Sequence, residues 1–372
     1  MSVTDFDADR PPQPPRRRRR GGTGRRRRSL SEVGMGDGSR EGALVEDVEF
    51  ERSEEFDSYY GRPVVKAPPW RGPIAVYLFL GGVAGGSALL GFGAQLTGRP
   101  ALRRNARLTA LATVGLGTVA LVEDLGRPER FLNMMRTVKV TSPMSLGTWI
   151  VSGFATFSGV LGALEVDRLA GQRLPLGPAR GLLRISEGPA SVGQLVLAPL
   201  LASYTGALLG NTTVPTWEAS RAHLSYLFVS SASLASGGAA MLTTPVSETR
   251  PARLLAAAGV VGDLVSMRAM KESMHPLESE PLETGRPGRM LTWAERLAIA
   301  GGLGAMLGGR HRVVAAASGV ALLASSALTR FGVLEAGLES VKDPRRVIEP
   351  QKARLAARRA AGITDDSITT AG

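Results

Sequence analysis

Five stretches of this chain are almost free of charge: residues 74–96, 106–122, 143–164, 188–210 and 222–246. A helix rises about 1.5 Å per residue, so roughly 20 apolar residues cross the hydrocarbon core of a bilayer. Four of the five reach that length, and the second does so if it begins near Asn105. Three more apolar segments are interrupted: 252–270 carries Asp263, 291–309 carries Glu295 and Arg296, and 312–333 is apolar as far as Arg330. Together they predict an all-α integral membrane protein with about eight transmembrane helices. The mean hydropathy lies near zero only because long polar tails dilute the spans.

The simplest organisation is two four-helix groups, parted near residues 211–221. A charged, disordered tail (1–66) precedes a first bundle (67–210), a second bundle (211–352) and a basic C-terminal tail (353–372). In the first tail ten arginines (Arg10, Arg16 to Arg20, Arg25 to Arg28) precede an acidic run from Glu41 to Asp57. Such a segment cannot bury enough apolar surface to fold alone. No aromatic or fold context supports nucleic-acid binding, and no apolar region follows the arginines as an export signal requires. The tail reads as solvated and touching anionic lipid. Basic residues stay on the cytoplasmic side, so the N-terminus is expected there, and after eight spans the C-terminus too.

The sequence has no cysteine and three histidines, His223, His275 and His311. Disulfides, thiolate metal sites and iron–sulfur clusters within the chain are thereby excluded. No histidine lies well inside one of the clean spans, so a transmembrane haem is not expected either. Trp70, Trp149, Trp217 and Trp293 fall near predicted span ends, the pattern of an interfacial aromatic belt. Small residues in GGVAGGSALLGFG and SSASLASGGAA suit close helix packing in lipid.

One charged stretch separates two spans: LVEDLGRPERFLNMMRTVKVTSPMSLGTW, residues 121–149. Span two ends at Glu123–Asp124, with Gly126 as a stop and Pro128 in the first turn of a new helix. That surface helix, about 128–137, puts Phe131, Leu132 and Met135 in the interface and Glu129, Arg130 and Arg136 on the polar side. Ser142 and Pro143 cap the next span. Gly-Arg-Pro also occurs at 61–63, 98–100 and 285–287, so alone it marks only an interfacial stop. An Asp–Arg pair at a helix end is, by itself, a cap with a salt bridge.

The longer pattern carries more. W…YLFLGGVAGG (70–86), EDLGRPERFLNMMR (123–136), SPMSLGTW (142–149), YTGALLGNTTVPTW (204–217) and LTRFGVLEAGLESVKDPRRVIEP (328–350) follow one another in order. This series resembles the NrfD/polysulfide-reductase membrane-subunit family, most nearly its formate-dehydrogenase-associated members, over about residues 68–352. The resemblance implies a membrane anchor without bound haem, iron–sulfur cluster or metal, which binds exchangeable quinone or menaquinone near one face. It implies partners as well: a four-cluster ferredoxin-like iron–sulfur subunit joined to a molybdopterin catalytic subunit.

On that expectation spans one to four hold the quinone. Asp124 is the candidate for exchanging its protons, because burial raises a carboxyl's pKa while a nearby Arg lowers it. Arg127 and Arg130 are orienting cations, Tyr77, Tyr204 and Asn211 are candidate donors to the ring carbonyls, and Ser142 borders the same pocket. Tyr204 and Asn211 are two helical turns apart and share a face. Asp263, the one deep acid, reads as hydrogen-bonded to a neighbouring helix's Ser or backbone, since no chain of partners for a proton path is evident. Two other functions stay open: a small transporter, and a structural anchor in which the same residues serve only docking.

Overall fold

A computed structural model describes residues 64–126, 129–136, 138, 139 and 141–362, with only the backbone of Phe131 and Leu132. The arginine block, the acidic run and Arg127 lie outside the described residues. Among the described residues the fold is entirely helical. Eight long helices follow in order: α1 (Gly72–Leu96), α2 (Pro100–Asp124), α4 (Pro143–Leu169), α5 (Ala179–Gly210), α7 (Arg221–Thr243), α8 (Arg250–Ser273), α10 (Gly285–Leu307) and α11 (Arg312–Ser340). Shorter helices α3 (Glu129–Met134), α6 (Pro215–Ala219) and α9 (Pro276–Ser279) lie between them, and α12 (Arg345–Ala360) closes the described chain.

Among the described residues five helices are long and apolar enough to cross a membrane: α1, α2, α4, α5 and α11. The segment expected at 222–246 forms α7 but is not among them, whereas the interrupted 312–333 segment forms α11 and is. The physical reason lies in the neighbours. Helix α7 packs against α1, α5, α8 and α11, and its Ser, Ala and Gly residues from Ser231 to Met241 are mostly buried against protein. A helix surrounded by helices needs small side chains more than greasy ones. Helix α5 is longer than expected, starting at Ala179 and containing Pro189 and Pro199.

Glycines set the close approaches. A Cβ at Gly85 of α1 would stand 2.8 Å from Ala198 O of α5, and one at Gly82 would stand 3.2 Å from Ala232 Cβ of α7. The small-residue motif of span one is therefore helix packing. Short turns join neighbours into antiparallel pairs. At the first, Gly98 takes φ +65° and the Arg99 N–H donates to Ala94 O, a left-handed helix stop.

The alternation leaves two ends. One gathers the start of α1, the end of α2, the start of α4 and the end of α5; it is called the Asp124 end. The other, the Arg107 end, is pinned by polar contacts between helices. The Leu102 N–H donates to Glu248 Oε2, Asn105 donates to Thr243 O, and Arg312 donates to Met241 O and Thr244 O.

Candidate functional site

Asp124 is the last residue of α2, and its half-buried carboxylate accepts a hydrogen bond from the backbone of Arg71. Arg71 is the N-cap of α1. The first N–H groups of a helix have no partner within it and form the positive end of its dipole, so a carboxylate is stabilised there. Gly126 turns the backbone just beyond, with φ +69°. Gly98 and Gly285, the first residues of two other Gly-Arg-Pro triplets, also take positive φ. The recurring tripeptide is a backbone device.

Trp70, next to Arg71, stacks on Trp217 with centroids 5.5 Å apart. Trp217 is fully buried, its Nε1–H donates to Val333 O at 2.8 Å, and a Cβ at Gly337 would overlap its ring. This corrects the expected aromatic belt. Trp149 and Trp293 are exposed at 40% and 56%, but Trp217 is a core residue. Beside it, the Thr216 hydroxyl donates to Glu278 O, Glu278 accepts from Arg354 at 2.6 Å, and Arg346 pairs with Glu280 at 3.2 Å. Residues 70, 217 and 333–337, from three separate motifs, thus meet in one place.

Tyr77 is buried on α1, and its hydroxyl has no hydrogen-bond partner. The Tyr204 ring lies on Gly147 of α4, where a Cβ would overlap it. Tyr77, Trp217, Trp70 and Tyr204 share one continuous apolar core. Asn211 is exposed and its Nδ2 donates to Ala207 O at 2.7 Å, so it caps its own helix.

The rest of the charged stretch is nearer the surface. Its helix is shorter than expected, Glu129–Met134. Glu129, Arg130 and Arg136 are exposed, and the Ser152 hydroxyl donates to Met135 Sδ at 3.2 Å, fastening the segment to α4. Ser142 is the N-cap of α4 and accepts from the Ser145 N–H. Arg130 and Ser142 line an open cavity of about 440 Å³ with Asn133, Met134, Lys139, Met144 and Ser145. The seven candidates therefore fall apart into groups. Tyr77 and Tyr204 belong to the core, Asp124 caps the start of α1, Arg130 and Ser142 share the open cavity, Asn211 serves its helix, and Arg127 is not described.

A cluster that sequence reasoning missed sits at the Arg107 end. Arg107 is 2% exposed and donates to Glu165 and Glu187 at 2.8 Å each, to Gln95 at 2.6 Å and to Ser191 at 3.0 Å. Arg103 and Arg168 also bind Glu165, at 3.0 Å each. The cluster ties α1, α2, α4 and α5 together. The spacing of Arg103 and Arg107, one helical turn, was its only trace in the sequence.

Residues 64–274 match the model of a family described as polysulphide reductase, NrfD. The protein is 30% identical over 151 residues to the C subunit of polysulfide reductase from Wolinella succinogenes, covering 38% of this sequence and 47% of that protein. It is 36% identical over 158 residues to the protein NrfD of Escherichia coli, covering 38% and 48%. A NrfD homolog of Haemophilus influenzae matches at 28% over 155 residues. The match spans about half the length of these relatives.

Proposed function

The chain belongs to the NrfD polysulphide reductase family, and from that premise we propose that it is the quinone-reactive membrane subunit of an oxidoreductase complex. The relative named for polysulfide reductase supports a place in such an assembly. Its partners in this reading are an iron–sulfur subunit and a molybdopterin catalytic subunit. Helices α1, α2, α4, α5, α7, α8, α10 and α11 serve as eight spans in the inner membrane, with both termini cytoplasmic and the Asp124 end facing the partners.

The observation that carries the reading is that a half-buried acid caps the same helix on which a buried hydroxyl is left without a partner. Asp124 sits on the N-terminus of α1, and Tyr77, on that helix, has a hydroxyl without a partner. Leaving a buried hydroxyl unsatisfied costs about 1–3 kcal/mol, so a ligand carbonyl there would recover a bond. Quinone, when bound, supplies a carrier of two electrons and two protons. Tyr77 would donate to one ring carbonyl. Asp124, half exposed at the membrane edge, would exchange protons between that site and water. Trp70 and Trp217 keep the wall rigid and dry.

Asp124→Asn and Tyr77→Phe test this in the assembled complex. Both variants should assemble and keep activity with a water-soluble electron-acceptor dye, which bypasses quinone. Quinone-linked turnover should fall roughly 100-fold in Asp124→Asn, the scale of a lost acid–base group. Unchanged quinone turnover in both variants would sink the assignment. Lost assembly with normal turnover of the residual complex would favour a docking role.

A further inference from the structure

A second polar site lies between α8, α10 and α11, away from Asp124. Asp263 is 4% exposed in the middle of α8, and its Oδ1 has no hydrogen-bond partner. The bond to a neighbouring helix's Ser or backbone that the sequence suggested is not made by this oxygen. Arg330 of α11 is fully buried, with its guanidinium carbon 3.7 Å from the centre of the Phe228 ring and Nη2 donating to Phe228 O at 2.6 Å. Its Nε and Nη1 have no partner. Two opposite buried charges thus interact electrostatically while each keeps unsatisfied polar atoms.

Asp263 lines a cavity of about 660 Å³ that also touches Glu295, Thr329, Glu283 and Lys271. A buried water needs roughly 10–15 Å³ and two or more polar partners, so the cavity has room and groups to hydrate. Its mouth is marked by the Lys271–Glu283 ion pair, 3.4 Å, with Arg268 and Glu272 beside it. Lys271 lies in the last turn of α8, and Asp263 about two turns further in. This inlet runs from the Asp124 end to Asp263, with Thr292 and Glu295 exposed along its α10 side.

We propose that Asp263 is a proton-binding site served by this inlet from one face of the membrane. A hydronium ion from the inlet gives its proton to the carboxylate, leaving a neutral acid and a water; the reverse step returns it to the same face. A hard metal cation is a poorer occupant, because it wants six or more oxygen ligands and the one buried carboxylate, Asp263, already faces the charge of Arg330. A proton needs one oxygen. Glu295, from α10, lines the same cavity. Buried carboxylates at membrane depth commonly serve ion or proton paths. The walls from Leu282 to Thr329 lie beyond the family match, which ends at residue 274.

Infrared spectroscopy of the full-length protein in lipid discs tests the site directly. The protein should show a protonated-carboxyl band that titrates with bulk pH, shifts on transfer to heavy water within the mixing time, and is absent from Asp263→Asn. Filling the inlet with Thr292→Phe should keep the band but slow its exchange at least tenfold. A second measurement does not depend on Asp263→Asn folding. Thr329→Cys, buried at 1% in a sequence without cysteine, should react with a small hydrophilic thiol reagent, and Thr292→Phe should block it. A carboxyl spectrum unchanged by Asp263→Asn, an exchange rate indifferent to Thr292→Phe, or an inert Thr329→Cys overturns the proposal.

Discussion

At the scale of single residues, charge burial is where this molecule is most exposed to damage. Glu165 is 1% exposed and faces Arg103, Arg107 and Arg168. Removing one member of a buried ionic network leaves its partners desolvated and uncompensated, which typically destabilises by about 3–5 kcal/mol. Glu165→Ala should therefore lower the thermal unfolding midpoint of the purified protein clearly. Glu165→Gln keeps an acceptor oxygen and should fall less. Equal midpoints for Glu165→Ala and the native protein would mean that the cluster is a solvated rim. Trp217 differs in kind: its ring is fixed by one hydrogen bond and by the missing Cβ of Gly337, so its position depends on a residue 120 places away.

Helices, in turn, are fitted to one another by what glycine leaves out. A Cβ at Gly206 of α5 would lie 2.7 Å from the Ser225 backbone of α7, whereas one at Gly159 of α4 would meet nothing within 4 Å. Overpacking a close helix contact costs about 1–3 kcal/mol. Gly206→Leu should thus destabilise the protein in a detergent melt while Gly159→Leu leaves the midpoint nearly unchanged. A Gly159→Leu variant that falls as far would show a lipid or helix-propensity effect instead. The same packing explains why α7, though not strongly apolar, can occupy the middle of the structure.

For the molecule as a whole, orientation decides which end would face the proposed partner subunits. The native sequence has no cysteine, so single-cysteine variants can be labelled without background. Gln351 of α12 is exposed beyond the Asp124 end, and Arg310 is exposed in the turn between α10 and α11 at the Arg107 end. An impermeant maleimide should label Gln351→Cys only in inverted membrane vesicles and Arg310→Cys only in intact cells with a permeable outer layer. The opposite pattern would place the Asp124 end outside and reverse the reading of the arginine-rich tail. Labelling of both from one side would break the alternation of the spans.

Most of the helices were legible in the sequence because each is written locally. Apolar length marks a span, Ser142–Pro143 marks a start, and Gly98 and Gly126 mark stops. The charged stretch was also legible as a helix end, a turn and a surface helix fastened to α4. What that stretch does could not be read from its own residues. Asp124 meets Arg71 only because α1 and α2 are antiparallel, and Tyr77 is orphaned only because no neighbouring helix offers it a partner. The sequence alone determined that this protein is a bundle of long apolar helices carrying the motifs of one family. Tertiary structure decided which charges are buried together, at Arg107 and Glu165 and at Asp263 and Arg330. Their energies depend on burial and on partners many helices apart, and neither quantity is a property of a local stretch of sequence.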